Sequence, residues 1–192
     1  MFRIDCSSGQ FVVTGLAGTL LTSRDAVTWN SVTTPSANTL QFSGSNGSML
    51  VVTGNSGTIL TSPLPPFQSW SLARFSAQQM LDPAVGGPSA DPDGDGLSNL
   101  TEYALGREPK VAEAAPAPVA SNDGTDWIFT YTRPADRTDV TYAVEVSTDL
   151  ATWTTSGVTH ARTVAGATET WQGRVAMAGR PQVFFRLKVS QP

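Results

Sequence analysis

Phe11-Val12-Val13-Thr14-Gly15-Leu16-Ala17-Gly18-Thr19-Leu20-Leu21-Thr22-Ser23 returns 39 residues later as Leu50-Val51-Val52-Thr53-Gly54-Asn55-Ser56-Gly57-Thr58-Ile59-Leu60-Thr61-Ser62. Each copy opens with an apolar, β-branched run, passes a Gly-x-x-Gly turn and resumes with a second such run. That is the pattern of a β-hairpin. A hairpin repeated at a period near 40 predicts a propeller-like array of short antiparallel strands over residues 1–62. A closed propeller takes roughly four to eight blades, and two leave apolar faces and a sheet edge open. The chain is therefore expected to be the C-terminal part of a longer polypeptide, or to pair with another chain.

The first copy runs into Ser23-Arg24-Asp25-Ala26-Val27-Thr28-Trp29, whose S-x-D-x-x-T-W spacing recurs at Ser147-Thr148-Asp149-Leu150-Ala151-Thr152-Trp153. An aspartate so placed can accept hydrogen bonds from the backbone N–H groups that follow it. The tryptophan then folds back onto the sheet. In the second copy Pro63, Pro65 and Pro66 replace this turn and open a region spanning 63–108. There Phe67, Trp70, Ala73/Arg74, Ala77 and Leu81 lie roughly on one face, which predicts a helix over 67–82 stopped by Asp82-Pro83. Phe75 lies off that stripe. A shorter helix is predicted over 98–105, with Gly106 as its C-terminal stop.

Between those helices lies Asp91-Pro92-Asp93-Gly94-Asp95-Gly96-Leu97-Ser98-Asn99-Leu100-Thr101-Glu102, a full match to D-x-[DN]-x-[DN]-G-x5-E. Asp91, Asp93 and Asp95 set three carboxylates around one small volume, and Gly96 supplies the sharp turn. Leu97 offers its carbonyl, Asn99 an amide oxygen or a held water, and Glu102 a bidentate carboxylate. Four carboxylates this close repel one another unless a cation joins them. The expected ion is Ca2+, which accepts an irregular oxygen shell better than Mg2+ does.

Residues 109–126 are poor in large apolar side chains, and Pro116-Ala117-Pro118 marks an extended Ala/Pro linker. From Trp127 the pattern alternates, with strands predicted at 127–133, 141–146, 171–176 and 183–189. Five to seven short strands over 127–192 predict a small antiparallel β-sandwich. Tyr142, Val144, Val146, Phe185, Leu187 and Val189 are expected in or near its core. The fold class is thus mainly β: incomplete hairpin repeats, a helix–calcium loop–helix segment, and a C-terminal sandwich.

Charged residues make up 15% of the 192, against roughly 25% in typical soluble domains. Lysine occurs only at Lys110 and Lys188, and the net charge is −4, which leaves no basic footprint for nucleic acid. The 24 threonines give a neutral, hydroxyl-rich surface. Cys6 is the single cysteine, so no intrachain disulfide forms; it reads as a small, partly buried residue. No run approaches the roughly 20 apolar residues of a membrane helix. The first residues lack a signal peptide's apolar core. His160, the one histidine, has no motif neighbours for zinc or catalysis and reads as a turn or strand-end residue. Glu145 and Glu169 are the pair to weigh for glycoside hydrolysis. Glu145 sits on an alternating strand, facing solvent, so no catalytic residue is expected. Among the tryptophans, which more often fill a core than stack on sugars, Trp127 and Trp171 are the two whose exposure matters.

The Gly-x-x-Gly-Thr-(Leu/Ile)-Leu-Thr-Ser signature resembles the BNR/Asp-box propeller repeats of sialidase-like and photosystem-assembly-factor-like proteins. Ala26-Val27 departs from the glycine usual between the Asp and the Thr-Trp of that box. The stretch from Asp91 to Leu105 is similar to a bacterial thrombospondin type 3 repeat and to a dockerin half-site. The C-terminal part resembles the immunoglobulin-like or fibronectin-like modules at the ends of large secreted bacterial proteins. Ser98 stands where a paired EF-hand carries an apolar residue, and no second loop matches, which favours a lone structural calcium site over a sensor or a cohesin-binding dockerin. The resemblance implies a non-enzymatic, calcium-stabilised structural or adhesion module, extracellular or at the cell surface, with a protein or glycan there as its partner. The alternative it implies is the accessory C-terminal part of a sialidase-like carbohydrate-active hydrolase whose catalytic blades lie outside this chain.

Overall fold

The computed structural model describes residues 2–7, 9–112 and 118–191. The chain is mainly β, built of several antiparallel sheets with no closed barrel among the described residues. It forms two compact units, Met1–Pro92 and Asp93–Pro192, and the division falls inside the acidic loop.

In the first unit β1 (Arg3–Ser7), β2 (Gln10–Thr14), β3 (Leu20–Ser23) and β4 (Asn30–Ser31) form one sheet in chain order. β5 (Leu40–Ser45), β6 (Met49–Gly54) and β7 (Ile59–Pro63) form a second. The repeat holds down to the register. Val12 faces Thr22 as Val51 faces Thr61, and Thr14 faces Leu20 as Thr53 faces Ile59. The equivalence extends upstream of the matching sequence: Ile4 pairs with Val13 as Ser43 pairs with Val52. Each copy is therefore a three-stranded meander rather than a hairpin.

The turns repeat as well. Ala17 and Ser56 take φ 51° and 54°, and the glycines that follow, Gly18 and Gly57, both take φ 72°. Two successive left-handed residues suit a chain that carries glycine at the second. Gly15 N donates to Thr19 O at 3.0 Å and Gly54 N to Thr58 O at 2.9 Å, closing the same loop twice. Val12, Leu20, Leu40, Leu50, Val52 and Leu64 bury together between the strands of the two sheets.

A single helix over 67–82 does not form. α1 (Pro66–Leu72) ends at Ala73, and α2 (Ala77–Met80) starts afresh. Ser76 Oγ accepts from Gln79 N while the Gln79 side chain accepts from Ser76 N, a capping box that favours a new N-terminus over continuation. The break lets Phe75, which a straight helix leaves off the apolar stripe, become buried.

The second unit holds α3 (Asn99–Leu105), β8 (Val119–Asn122), β9 (Asp126–Pro134), β10 (Thr141–Ser147), β11 (Thr159–Ala165), β12 (Thr168–Ala176) and β13 (Phe184–Ser190). One sheet runs β11-β12-β9-β8 and the other pairs β10 with β13. Phe129, Tyr131 and Val144 form the centre of the core, with Leu105, Tyr142, Phe185 and Leu187 packed against them. Val146 is buried too, and Val189 is half-buried.

Two strands depart from the sequence reading. β8 lies in the stretch read as linker; residues 113–117 of that stretch, with Pro116 and Ala117, lie outside the described residues. Asp123 makes β8 possible: its Oδ1 accepts from Thr125 N at 3.0 Å and Asp126 N at 2.8 Å, turning the chain back onto β9. β11 is exposed along its whole length, so it has no buried face to impose alternation, and its pairing with β12 alone defines it.

Candidate metal centre

The acidic loop curls by its own side chains. Asp95 N donates to Asp93 Oδ1 at 3.1 Å, and Leu97 N donates to Asp95 Oδ1 at 2.8 Å. Between them Gly94 and Gly96 take φ 76° and 92°, a region that glycine enters without strain. One carboxylate oxygen from each of Asp91, Asp93 and Asp95 then lies within 4.8 Å of the other two. Asp93 Oδ2 is buried and has no hydrogen-bond partner among the described residues. A desolvated, unpartnered carboxylate oxygen beside two further carboxylates is a costly arrangement that a cation relieves. The donor set is all oxygen, which suits a hard divalent ion.

Downstream, Ser98 Oγ caps α3 by accepting from Thr101 N at 3.4 Å. Gly106, at φ 74°, ends the helix, and Arg107 N donates to Glu102 O at 2.8 Å. Asn99 and Glu102 sit on the inward face of α3, at 0% and 1% exposure. The three aspartates are the carboxylates brought together; Glu102 stands outside that 4.8 Å group among the described residues. Leu97 is half-buried at the end of the loop.

The helix that follows the loop is tied firmly into the second unit. Tyr103 OH donates to Asp139 Oδ1 at 2.5 Å, and Tyr142 OH donates to Ala104 O at 2.9 Å. Arg137 Nε donates to Tyr103 O at 3.0 Å, and its guanidinium lies 4.4 Å from the Tyr103 ring centroid. Burial, with the Asp139 bond second, pushes the Tyr103 hydroxyl well above the ordinary tyrosine range, so it stays a donor. No local spacing marks Tyr103, Arg137 or Asp139, because their partners lie more than thirty residues away.

The two S-x-D-x-x-T-W turns fold alike. Asp25 Oδ1 accepts from Thr28 N at 2.7 Å, Val27 N at 2.9 Å and Ser23 Oγ at 2.9 Å. Asp149 Oδ1 accepts from Thr152 N at 2.8 Å, Ala151 N at 2.9 Å and Ser147 Oγ at 2.9 Å. In each, the Thr N–H first and the neighbouring N–H next hold the carboxyl down to about 2. The indole donates to the carbonyl three residues back, Trp29 to Ala26 and Trp153 to Leu150, both at 3.2 Å. These carboxylates serve their own turns.

The remaining candidates are also bonded. Glu169 is buried and accepts from Trp171 Nε1 at 2.8 Å, Arg133 Nε at 2.9 Å and Arg162 at 3.1 Å; the Trp171 bond is the largest influence holding its carboxyl below the usual range. Glu145, read as facing solvent, is instead half-buried and paired across the strands with Arg186. Trp127 and Trp171 are both half-buried, and Trp127 Nε1 donates to Arg180 O. His160 is exposed on β11. Cys6, expected to be partly buried, is exposed on β1, where it pairs with Phe11. Among the described residues no helix is long and apolar enough to cross a membrane. Compared with protein families, with curated proteins and with solved structures, the chain matches none.

Proposed function

We propose that this chain is a calcium-binding structural module. Asp91, Asp93 and Asp95 would hold the ion, joined by the Leu97 carbonyl, Asn99 and Glu102. Bound Ca2+ supplies positive charge and a multivalent oxygen crosslink; it performs no reaction. The observation that carries this reading is the convergence of three carboxylates within 4.8 Å on a loop whose Asp93 Oδ2 is buried without a partner. The anchoring of α3 by Tyr103, Tyr142 and Arg137 gives the ion something to stiffen. On this reading the first unit is propeller-like, the second is a β-sandwich, and the whole acts outside the cell as a spacer or adhesion element, non-enzymatic, with a protein or glycan partner.

Thermal melts in calcium and in chelator test the proposal. An ion that binds only the folded form stabilises by RT ln(1 + [L]/Kd), about 2.7 kcal/mol at a hundredfold excess over Kd. The melting temperature should rise in calcium for the natural chain and stay unchanged for Asp93→Ala. Superimposable melts of the natural chain in calcium and chelator would refute it.

A further inference from the structure

The two repeat sheets meet through unlike faces. The first buries Val12, Thr14 and Leu20, and the second buries Leu50 and Val52, with Leu60 packed beside them. Shifted back by 39 positions, Leu50, Val52 and Leu60 correspond to Phe11, Val13 and Leu21. Those are the alternate positions on β2 and β3, which point to the opposite face of the sheet. One copy of the repeat thus contributes its front and the other its back. Such a contact is heterologous, and each copy retains the face that its neighbour has used.

The face left open on the first sheet carries Phe11, Val13 and Leu21, with Ile4 beside them at 58% exposure. The face left open on the second carries Val51, Thr53 and Ile59, the last at 68% exposure. Each is the register equivalent of a face already packed within the unit. None of these seven side chains is charged; the nearest charge is the Arg3 guanidinium, 4.3 Å from the ring centroid of Phe42, which pairs with Thr53 at the edge of the second face.

We infer that a second copy of this chain docks head to tail, the open face of the second sheet in one molecule receiving the open face of the first sheet in the next. The contact continues a packing that the unit already makes, so its register is specified. Inside the unit Ser43 N donates to Asp5 Oδ2 at 3.4 Å. The equivalents of Ser43 and Asp5 on the open faces are Ile4 and Gly44, which therefore meet between molecules. A Cβ at Gly44 would touch nothing within 4 Å, so the position accepts a side chain. A head-to-tail contact propagates until a ring closes, so the mass grows with concentration.

Disulfide trapping of the full chain tests this. In a Cys6→Ser background, the double variant Ile4→Cys/Gly44→Cys should oxidise to a ladder of covalent multimers, equally in calcium and in chelator. That insensitivity separates the outcome from the calcium proposal. Ile4→Cys alone should give no crosslink; a covalent dimer from it would mean symmetric face-to-face pairing and would overturn the head-to-tail assignment. In sedimentation velocity the natural chain should gain mass with concentration, while Ile4→Asp and Ile59→Asp, changes at exposed positions, should stay monomeric. A natural chain that stays monomeric at its highest soluble concentration overturns the inference.

Discussion

Tyr103→Phe removes one oxygen and leaves everything else about α3 in place. Tyr103 is 1% exposed, and its hydroxyl donates to the Asp139 carboxylate at 2.5 Å. A hydrogen bond to a charged group contributes about 1.5–3 kcal/mol. Asp139 is half-buried, so water can reach the carboxylate left behind, which places the loss near the lower end, about 1.5 kcal/mol. The phenyl ring keeps its packing and its contact with Arg137, at 4.4 Å, so the substitution isolates the O–H. For a unit of this size, about 1 kcal/mol moves Tm by roughly 4–8 °C, so a fall of roughly 6–12 °C follows. Urea denaturation followed by tryptophan fluorescence measures the free-energy loss, and a thermal melt measures the fall in Tm. A cycle with Asp139→Asn should recover most of the loss as coupling between the two side chains. A loss under about 0.5 kcal/mol, or a cycle with no coupling, would refute the claim that this bond ties the loop's helix to the β-structure.

The remaining predictions concern the turns. Asp25 and Asp149 have folded carboxyl pKa values lowered to about 2, below the unfolded value of about 3.9. Their contribution to stability is complete above the unfolded value and disappears as pH falls through about 2. Carboxyl carbon NMR should place both midpoints near 2, and midpoints near 3.9 would contradict the hydrogen-bonded turns. Gly18 and Gly57 share φ 72°, so Gly18→Ala and Gly57→Ala both carry a backbone strain of about 1 kcal/mol. Only at Gly18 would the added Cβ fall 1.9 Å from Ser36 O, while at Gly57 it meets nothing within 4 Å. Gly18→Ala should therefore be clearly the more destabilising in a denaturant titration, and equal losses would contradict the asymmetry between the copies.

Local patterns were legible in the sequence and long-range ones were not. The 39-residue repeat revealed β2, β3, β6 and β7 because matched residues impose matched turns. It concealed β1 and β5, whose residues share the register but not the side chains. The helix over 67–82 split because apolar spacing does not register a capping box at Ser76. β11 escaped because every residue of it is exposed, so no face alternates. At the candidate site the three aspartates and the turn at Gly96 were readable from spacing, while Gly94 and the Ser98 cap on α3 came only with the structure. The anchors of α3 were not, since Asp139, Arg137 and Tyr142 reach it only through the fold of the second unit.

Calorimetric titration of the chelator-stripped chain with calcium, run beside Asp93→Ala, addresses the metal site most directly. One saturable event per chain, lost in the variant and resistant to excess magnesium, is the result that three converging aspartates and a desolvated Asp93 oxygen foretell. Absence of heat in the natural chain, with terbium luminescence also absent, would mean that these carboxylates coexist without any cation.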